Sequence, residues 1–225
     1  MSTLAITPLA TEPTTMTTTR DTLRGKVNQA KQAPTLLALL RDGTRAAHDR
    51  VAAAPALACL MSPALDDASY VFALQTLQAL HAGVAAQLAS LRPGVPILDA
   101  PADGALTLLA QDLAWFGAAM RPRLALDGAI PDRLAGLGAL YVVEGSALGA
   151  RVIGRAVSQS LDVAPGRGGS FFCAATAAAA RSRWLALTAI LSASSASLDA
   201  DSHARVVAGA RTVFDALAER LTCSV

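Results

Sequence analysis

Histidine is scarce in this chain: His48, His81 and His203 are the only three in 225 residues. None stands in an H-E-x-x-H or E-x-x-H spacing, which disfavours a multi-histidine metal centre and a di-iron carboxylate centre. Cysteine is equally rare. Cys59, Cys173 and Cys223 are odd in number and form no C-x-x-C, so they read as small buried hydrophobes in a reducing, cytoplasmic setting. Charged residues make up 16% of the chain with a net charge of +2, too little to point to nucleic acid. No compact apolar core of a signal peptide occurs between Met1 and Ala33. Ala68 to Leu91 lacks Asp, Glu, Lys and Arg, yet it carries Gln75, Gln78, His81, Gln87 and Ser90. A spanning helix would be more uniformly apolar, so no membrane segment is expected. Aromatics are only 4%, and there are no internal repeats and no convincing strand patterns.

What remains is rich in Ala and Leu, strong helix formers, and predicts an all-α bundle of six or seven helices. Residues 1–33, Thr- and Pro-rich without an apolar period, read as a disordered leader. Residues 34–225 read as one helical domain. The first helix is expected over Thr35 to Ala54, ended by Pro55, with Leu37, Leu40, Thr44, His48 and Val51 on one stripe. A second over Asp66 to Leu91 steps Tyr70, Leu74, Leu77, His81, Val84, Leu88 and stops at Arg92-Pro93-Gly94-Val95-Pro96. A third runs from Gly104 to Met120 with Leu106, Leu109, Leu113 and Phe116 buried. A fourth opens at Pro131 and continues to Ser160. The Gly-rich stretch Pro165 to Gly169 is a loop that follows no strand and matches no P-loop. The remaining helices span Ala174 to Leu191 and Asp201 to Leu221, joined by Ser192 to Ser197; the last turns Val206, Ala210, Val213, Phe214 and Leu217 inward.

The fourth helix holds Gly145, Gly149 and Gly154. Each interior glycine costs roughly 0.5–1 kcal/mol relative to alanine, so the bared backbone serves either a close helix contact or a flat ligand. Pattern alone favours helix packing. Of the histidines, His48 has Arg45 and Arg41 three and seven residues upstream on nearby faces. Seven residues is about 10 Å of helix. A haem iron needs a single proximal imidazole, and cations at that distance could meet its propionates. By pattern alone, though, a core histidine beside a solvated arginine face is the commoner arrangement. His81, with no Lys or Arg within ten residues, suits a core or pocket-lining place, and His203 a surface one.

Leu39-Leu40-Arg41-Asp42-Gly43-Thr44-Arg45-Ala46-Ala47-His48 resembles the proximal helix of haem oxygenases, with its L-(K/R)-x-x-T-x-x-x-H pattern. Gln111-Asp112-Leu113-Ala114-Trp115-Phe116-Gly117 resembles their bacterial D-L-x-x-L-G segment. The run Leu140-Tyr141-Val142-Val143-Glu144-Gly145-Ser146-Ala147-Leu148-Gly149-Ala150-Arg151-Val152-Ile153 is similar to the distal helix of haem oxygenases associated with bacterial phytochromes. The resemblance covers about Leu36 to Leu221. It implies a single-domain haem oxygenase-like helical bundle with haem b as substrate and cofactor, converted by O2 and electrons to biliverdin, CO and ferrous iron. His48 would be the iron ligand. Gly145, Ser146 and Gly149 would face the oxygen and its ordered water. Arg41 would pair with a propionate, and Thr44, Arg45, Tyr141, Leu148, Phe171 and Phe214 would complete the contacts, with Arg181 and Arg183 as further basic candidates. The implied partners are an electron donor (ferredoxin, an NADPH-dependent reductase or an ascorbate-like reductant) and a bacteriophytochrome that takes the bilin.

The chain departs from the family in three places. Ala52 stands where the mammalian branch has a carboxylate that orients the axial histidine. Ser146 stands where that branch has Asp. Phe171-Phe172 runs into Cys173-Ala174-Ala175-Thr176 where the bacterial branch often has Gly and Tyr. Two other functions compete: a non-catalytic haem carrier of the same fold, and a helical interaction module whose glycines only pack helices.

Overall fold

The computed structural model describes residues 34–91, 103–173 and 177–222. The leader read over 1–33, the Pro-Gly stop at 92–96, the first residues of the helix expected from Ala174, and Cys223 lie outside them. Seven α-helices form among the described residues: α1 (Leu36–Ala52), α2 (Pro55–Ala58), α3 (Asp67–Ser90), α4 (Asp103–Trp115), α5 (Arg133–Ser160), α6 (Ala177–Ser195) and α7 (Ala200–Thr222). One 3-10 turn, Cys59–Met61, follows α2. There is no strand among them, only isolated bridges at Ala164, and no single helix is long and apolar enough to cross a membrane.

The helix starts follow their caps. Thr35 Oγ1 accepts from Ala38 N at 3.3 Å, and Asp66 Oδ1 from Ser69 N at 2.7 Å. Asp132 accepts from Leu134 N and Ala135 N at 2.8 and 3.1 Å, so α5 begins at Arg133, two residues beyond the expected Pro131. Pro55 does not end α1, which stops three residues earlier; it opens the single turn of α2, where its missing N–H has no helical partner to lose. The third expected helix ends at Trp115 and not at Met120. Gly117 adopts φ +62°, and the N–H of Ala118 reaches back to Leu113 O at 2.9 Å, a glycine C-terminal cap. Helix α6 runs to Ser195, four residues past the expected end, and Ser195 Oγ accepts from Leu36 N at 2.9 Å, tying the end of α6 to the start of α1.

Helix α3 is the central element. The expected stripe is buried, but so are Ala73, Thr76, Gln78, Ala79, Gly83 and Gln87 on other faces. The chain from Ala118 to Leu126 lies along it. Leu124 N donates to Ala79 O at 2.8 Å, Arg121 N to Gln78 Oε1 at 3.2 Å, and Gln75 Nε2 to Ala119 O at 2.7 Å. Gln75 and Gln78, two of the polar side chains that set this segment apart from a spanning helix, therefore satisfy backbone groups of an extended connector.

Helix α7 is the platform on which α1 and α5 both rest. A Cβ at Gly138 would collide with the Val206 carbonyl, and one at Gly209 with the Ala135 backbone, so α5 and α7 cross at bare backbone. Arg211 Nε donates to Gly43 O at 2.6 Å and Arg50 pairs with Asp215 at 2.7 Å, which fixes α1 on the same helix. Val206, Ala210, Val213, Phe214 and Leu217 are buried, as the sequence predicts for α7. His203, expected at the surface, is half-buried near its start. Helix α5 bends by 47° between Arg133–Ala150 and Val152–Ser160, just past Gly149, where a residue without a side chain lowers the cost of a kink.

Candidate functional site

With α1 and α5 held side by side on α7, a cavity of about 620 Å³ opens among them, within the range of about 300–1,000 Å³ typical of small-molecule sites. Helix α1 supplies Arg41, Thr44, Arg45, His48 and Val51. Helix α5 supplies Tyr141, Val142, Gly145, Ser146, Leu148, Gly149 and Ile153. Leu77 and Leu80 of α3, Phe171 and Phe172 of the following loop, Trp184 of α6, and Phe214 and Leu217 of α7 close it, with Leu57, Leu60 and Met61 at one end. Eleven of the residues singled out from the sequence, His48, Arg41, Thr44, Arg45, Tyr141, Gly145, Ser146, Leu148, Gly149, Phe171 and Phe214, line this one cavity, and Arg181 and Arg183 do not.

His48 is largely exposed, its ring edge-on to Phe214 at 6.0 Å between centroids. Its Nδ1 lies 3.2 Å from Asp49 Oδ1. A carboxylate oxygen accepts, so the Nδ1–H of His48 is the donor in this contact, and in the neutral ring that leaves the lone pair a metal ligand needs on Nε2. Ala52 left the orientation of His48 without a partner in the sequence; the adjacent Asp49 supplies one. Arg41 is exposed and lies close enough to Tyr141 for its charge to favour the phenolate, against burial, which pushes the phenol up and dominates. Among the described residues Arg41 has no carboxylate partner. Arg45 pairs with Asp42 at 2.8 Å, both well exposed, a contact that water screens and an incoming anion can displace.

Gly145, Gly149 and Gly154 of α5 differ in their surroundings. A Cβ at Gly154 would run into the Phe172 carbonyl, so that glycine serves packing. A Cβ at Gly145 would lie 3.5 Å from the Trp184 ring, so the indole covers part of its face. A Cβ at Gly149 would meet nothing within 4 Å; the residue is exposed and lines the cavity. Trp184 also packs against Tyr141, with ring centroids 5.5 Å apart.

Four features escape a reading of the sequence. Asp112 is fully buried and accepts from Ser170 N and Phe171 N, both at 2.7 Å. Tyr70 donates to Gly168 O at 2.9 Å. Together they seat the 164–173 loop so that Phe171 and Phe172 are buried as cavity wall. Glu144, behind Gly145, is buried and bound through both carboxylate oxygens to Arg183, whose Nε lies 3.0 and 3.1 Å away. Arg183 is therefore committed to Glu144 and is not a propionate partner; Arg181 is exposed and does not line the cavity. Fourth, His81 is wholly buried beneath α5, its Nε2 3.3 Å from Ser146 Oγ and its ring edge-on to Phe171. Burial, and secondly the charge of Arg183, lowers its pKa to about 4. Asp112 was within a quoted motif, but its partners lie 58 and 59 residues away, and no local pattern announces such contacts.

A planar dicarboxylate with a ligand-seeking metal fits this arrangement on one observation above others. The Gly149 backbone lines the same cavity as the His48 imidazole, and so does Arg41, which has no carboxylate partner among the described residues. Among the described residues no group of three His, Cys, Asp or Glu side chains could hold a bare metal ion.

No family model matches the sequence, and no curated protein matches it. Solved structures do match. The haem oxygenase of Neisseria meningitidis, studied in its NO- and CO-bound forms, aligns over 84% of this chain and 94% of its own with TM-score 0.62 and 23% identity. The haem oxygenase of Leptospira interrogans aligns over 84% and 98% with TM-score 0.66 and 16% identity. Heme oxygenase-1 of the cyanobacterium Synechocystis, in complex with haem, aligns over 84% and 91% with TM-score 0.63 and 16% identity. At these identities the likeness is one of architecture, and it settles the fold class: this chain is an all-α, single-domain bundle with the haem oxygenase fold.

Proposed function

We propose that this chain is a haem oxygenase that cleaves haem with O2 and electrons to biliverdin, CO and ferrous iron. The observation that carries the reading is the pairing, in one apolar cavity, of His48 with the bare backbone of Gly149. Helix packing accounts for Gly154 and partly for Gly145, but nothing packs on Gly149.

Haem, when bound, supplies both the iron that takes oxygen and the ring that is opened. The protein's residues do the rest by position. His48 offers Nε2 to the iron, and Asp49 fixes its tautomer. Arg41 receives a propionate at the cavity edge, with Arg45 able to leave Asp42 for the other. Gly149 and Gly145 would let the group lie close to the α5 backbone, and the apolar side chains of Ile153, Phe171 and Phe214 would line the space around it. Ser146 adds a side-chain hydroxyl to the α5 wall of the cavity, available to order a water. No strong protein acid or base is required, since protons can arrive through ordered water.

The electron donor is a ferredoxin, an NADPH-dependent reductase or an ascorbate-like reductant, and the bilin supplies a phytochrome chromophore. The support for the phytochrome link is the form of the Tyr141 to Ile153 run. A cytoplasmic site of action agrees with the free thiols of Cys59 and Cys173. The test is a hemin titration. A Soret band that shifts on mixing and is weakened at least tenfold in affinity by His48→Ala supports the reading; no band, or one indifferent to His48, defeats it.

A further inference from the structure

The distal wall of the cavity contains a hydrogen-bond chain whose proton positions are fixed by its own geometry. Ser146 Oγ lies 2.8 Å from Val143 O and 3.3 Å from His81 Nε2. A serine hydroxyl has one proton and two lone pairs. A carbonyl only accepts, so the shorter contact takes the hydroxyl proton. The contact to His81 must then be a donation from Nε2–H to Ser146 Oγ. Were the proton turned to His81 instead, two oxygen lone pairs would face each other at 2.8 Å. His81 is thus the neutral Nε2–H tautomer. Burial keeps it so, since Phe171 covers its ring and Arg183 is the charged group that acts on it.

We propose that His81 is a positioning residue for the cavity. Its Nε2–H holds the Ser146 hydroxyl turned to Val143 O, so that Ser146 shows the cavity a lone pair and no proton. The α5 wall of the cavity therefore selects, among small polar ligands, those that donate a hydrogen bond, water above all. It disfavours anions that only accept. Ser146 lines the cavity and His81 does not, so His81 acts through Ser146. The identity of the main occupant rests on the haem reading above; the tautomer and the direction of the chain do not.

Two measurements separate these. In ligand-free full-length protein with 15N-labelled histidine, NMR should show His81 as Nε2–H, uncharged down to about pH 5. In Ser146→Ala that proton's resonance should move and exchange faster with water. An Nδ1–H tautomer, or a resonance indifferent to Ser146→Ala, overturns the proposal whatever the cavity binds. In hemin-loaded protein, azide should bind about fivefold more tightly in Ser146→Ala, which removes the lone pair. It should do the same in His81→Phe, which frees the hydroxyl to turn. His81→Gln keeps an N–H donor and should restore the wild-type affinity. Equal azide affinity in all four proteins overturns the proposal. Failure of hemin to bind at all counts against the haem reading, and the NMR result still decides the chain.

Discussion

At Gly149 and Gly154 the same residue type does opposite work five positions apart. The Gly154 position has a backbone carbonyl where a Cβ would go, and the Gly149 position has open space. Gly154→Ala should therefore destabilise the fold by about 1–3 kcal/mol, the usual cost of forcing atoms into a packed contact, seen as a lower urea midpoint. Gly149→Leu should leave the midpoint nearly unchanged and remove hemin binding, because its side chain enters the cavity. A second residue-scale pair is Asp112 and Phe171. Asp112→Ala leaves two buried N–H donors without acceptors and should cost about 2–4 kcal/mol. Hemin affinity should fall with it, since the Phe171 wall loses its seat.

Between elements, the Glu144–Arg183 pair ties α5 to α6 directly behind the cavity and brings Trp184 onto Gly145. Breaking it from the arginine side strands a buried carboxylate. Arg183 is one-third exposed, so the cost lies below that of a fully buried pair, at about 2 kcal/mol. Arg183→Met should lower the urea midpoint accordingly, and Glu144→Gln should lower it less because the amide still accepts from the guanidinium. This scale also shows what the sequence could tell. Helix positions followed from Leu and Ala periodicity, whereas the cavity residues followed from the resemblance of the α1 and α5 runs to haem oxygenases, since spacing alone favoured a core histidine and packed glycines. The end of α6 was missed because its partner lies elsewhere, Ser195 Oγ accepting from Leu36 N, and the end of α4 because Gly117 turns to φ +62° and Ala118 N returns to Leu113 O. The His81–Ser146 contact was missed because the two are 65 residues apart, and nothing local to either names the other. Arg183, chosen by charge alone, is held by a carboxylate that charge counting could not place.

For the whole molecule, the buried His81 couples stability to pH. Its pKa is about 4 in the folded protein, against an ordinary value of 6.5. The unfolded chain thus binds more protons between those values, and stability must fall as pH drops from about 6.5 to 4. The loss is up to about 3 kcal/mol. Urea midpoints measured across this window should fall steeply in the wild type and more gently in His81→Gln. A slope unaffected by that substitution would show that other groups govern the acid limb. The architecture as a whole, two helices spread on α7 with a cavity between them, gives the haem reading its strongest support, since a bundle built only for stability would have closed the gap.

The most direct measurement is single-turnover reduction. Hemin-loaded protein, supplied with ascorbate or a ferredoxin reducing system in air, should lose its Soret band while biliverdin absorption rises in the red, and His48→Ala should fail to do so. A Soret band that persists unchanged under those conditions would contradict the account, leaving a protein that holds haem without breaking it.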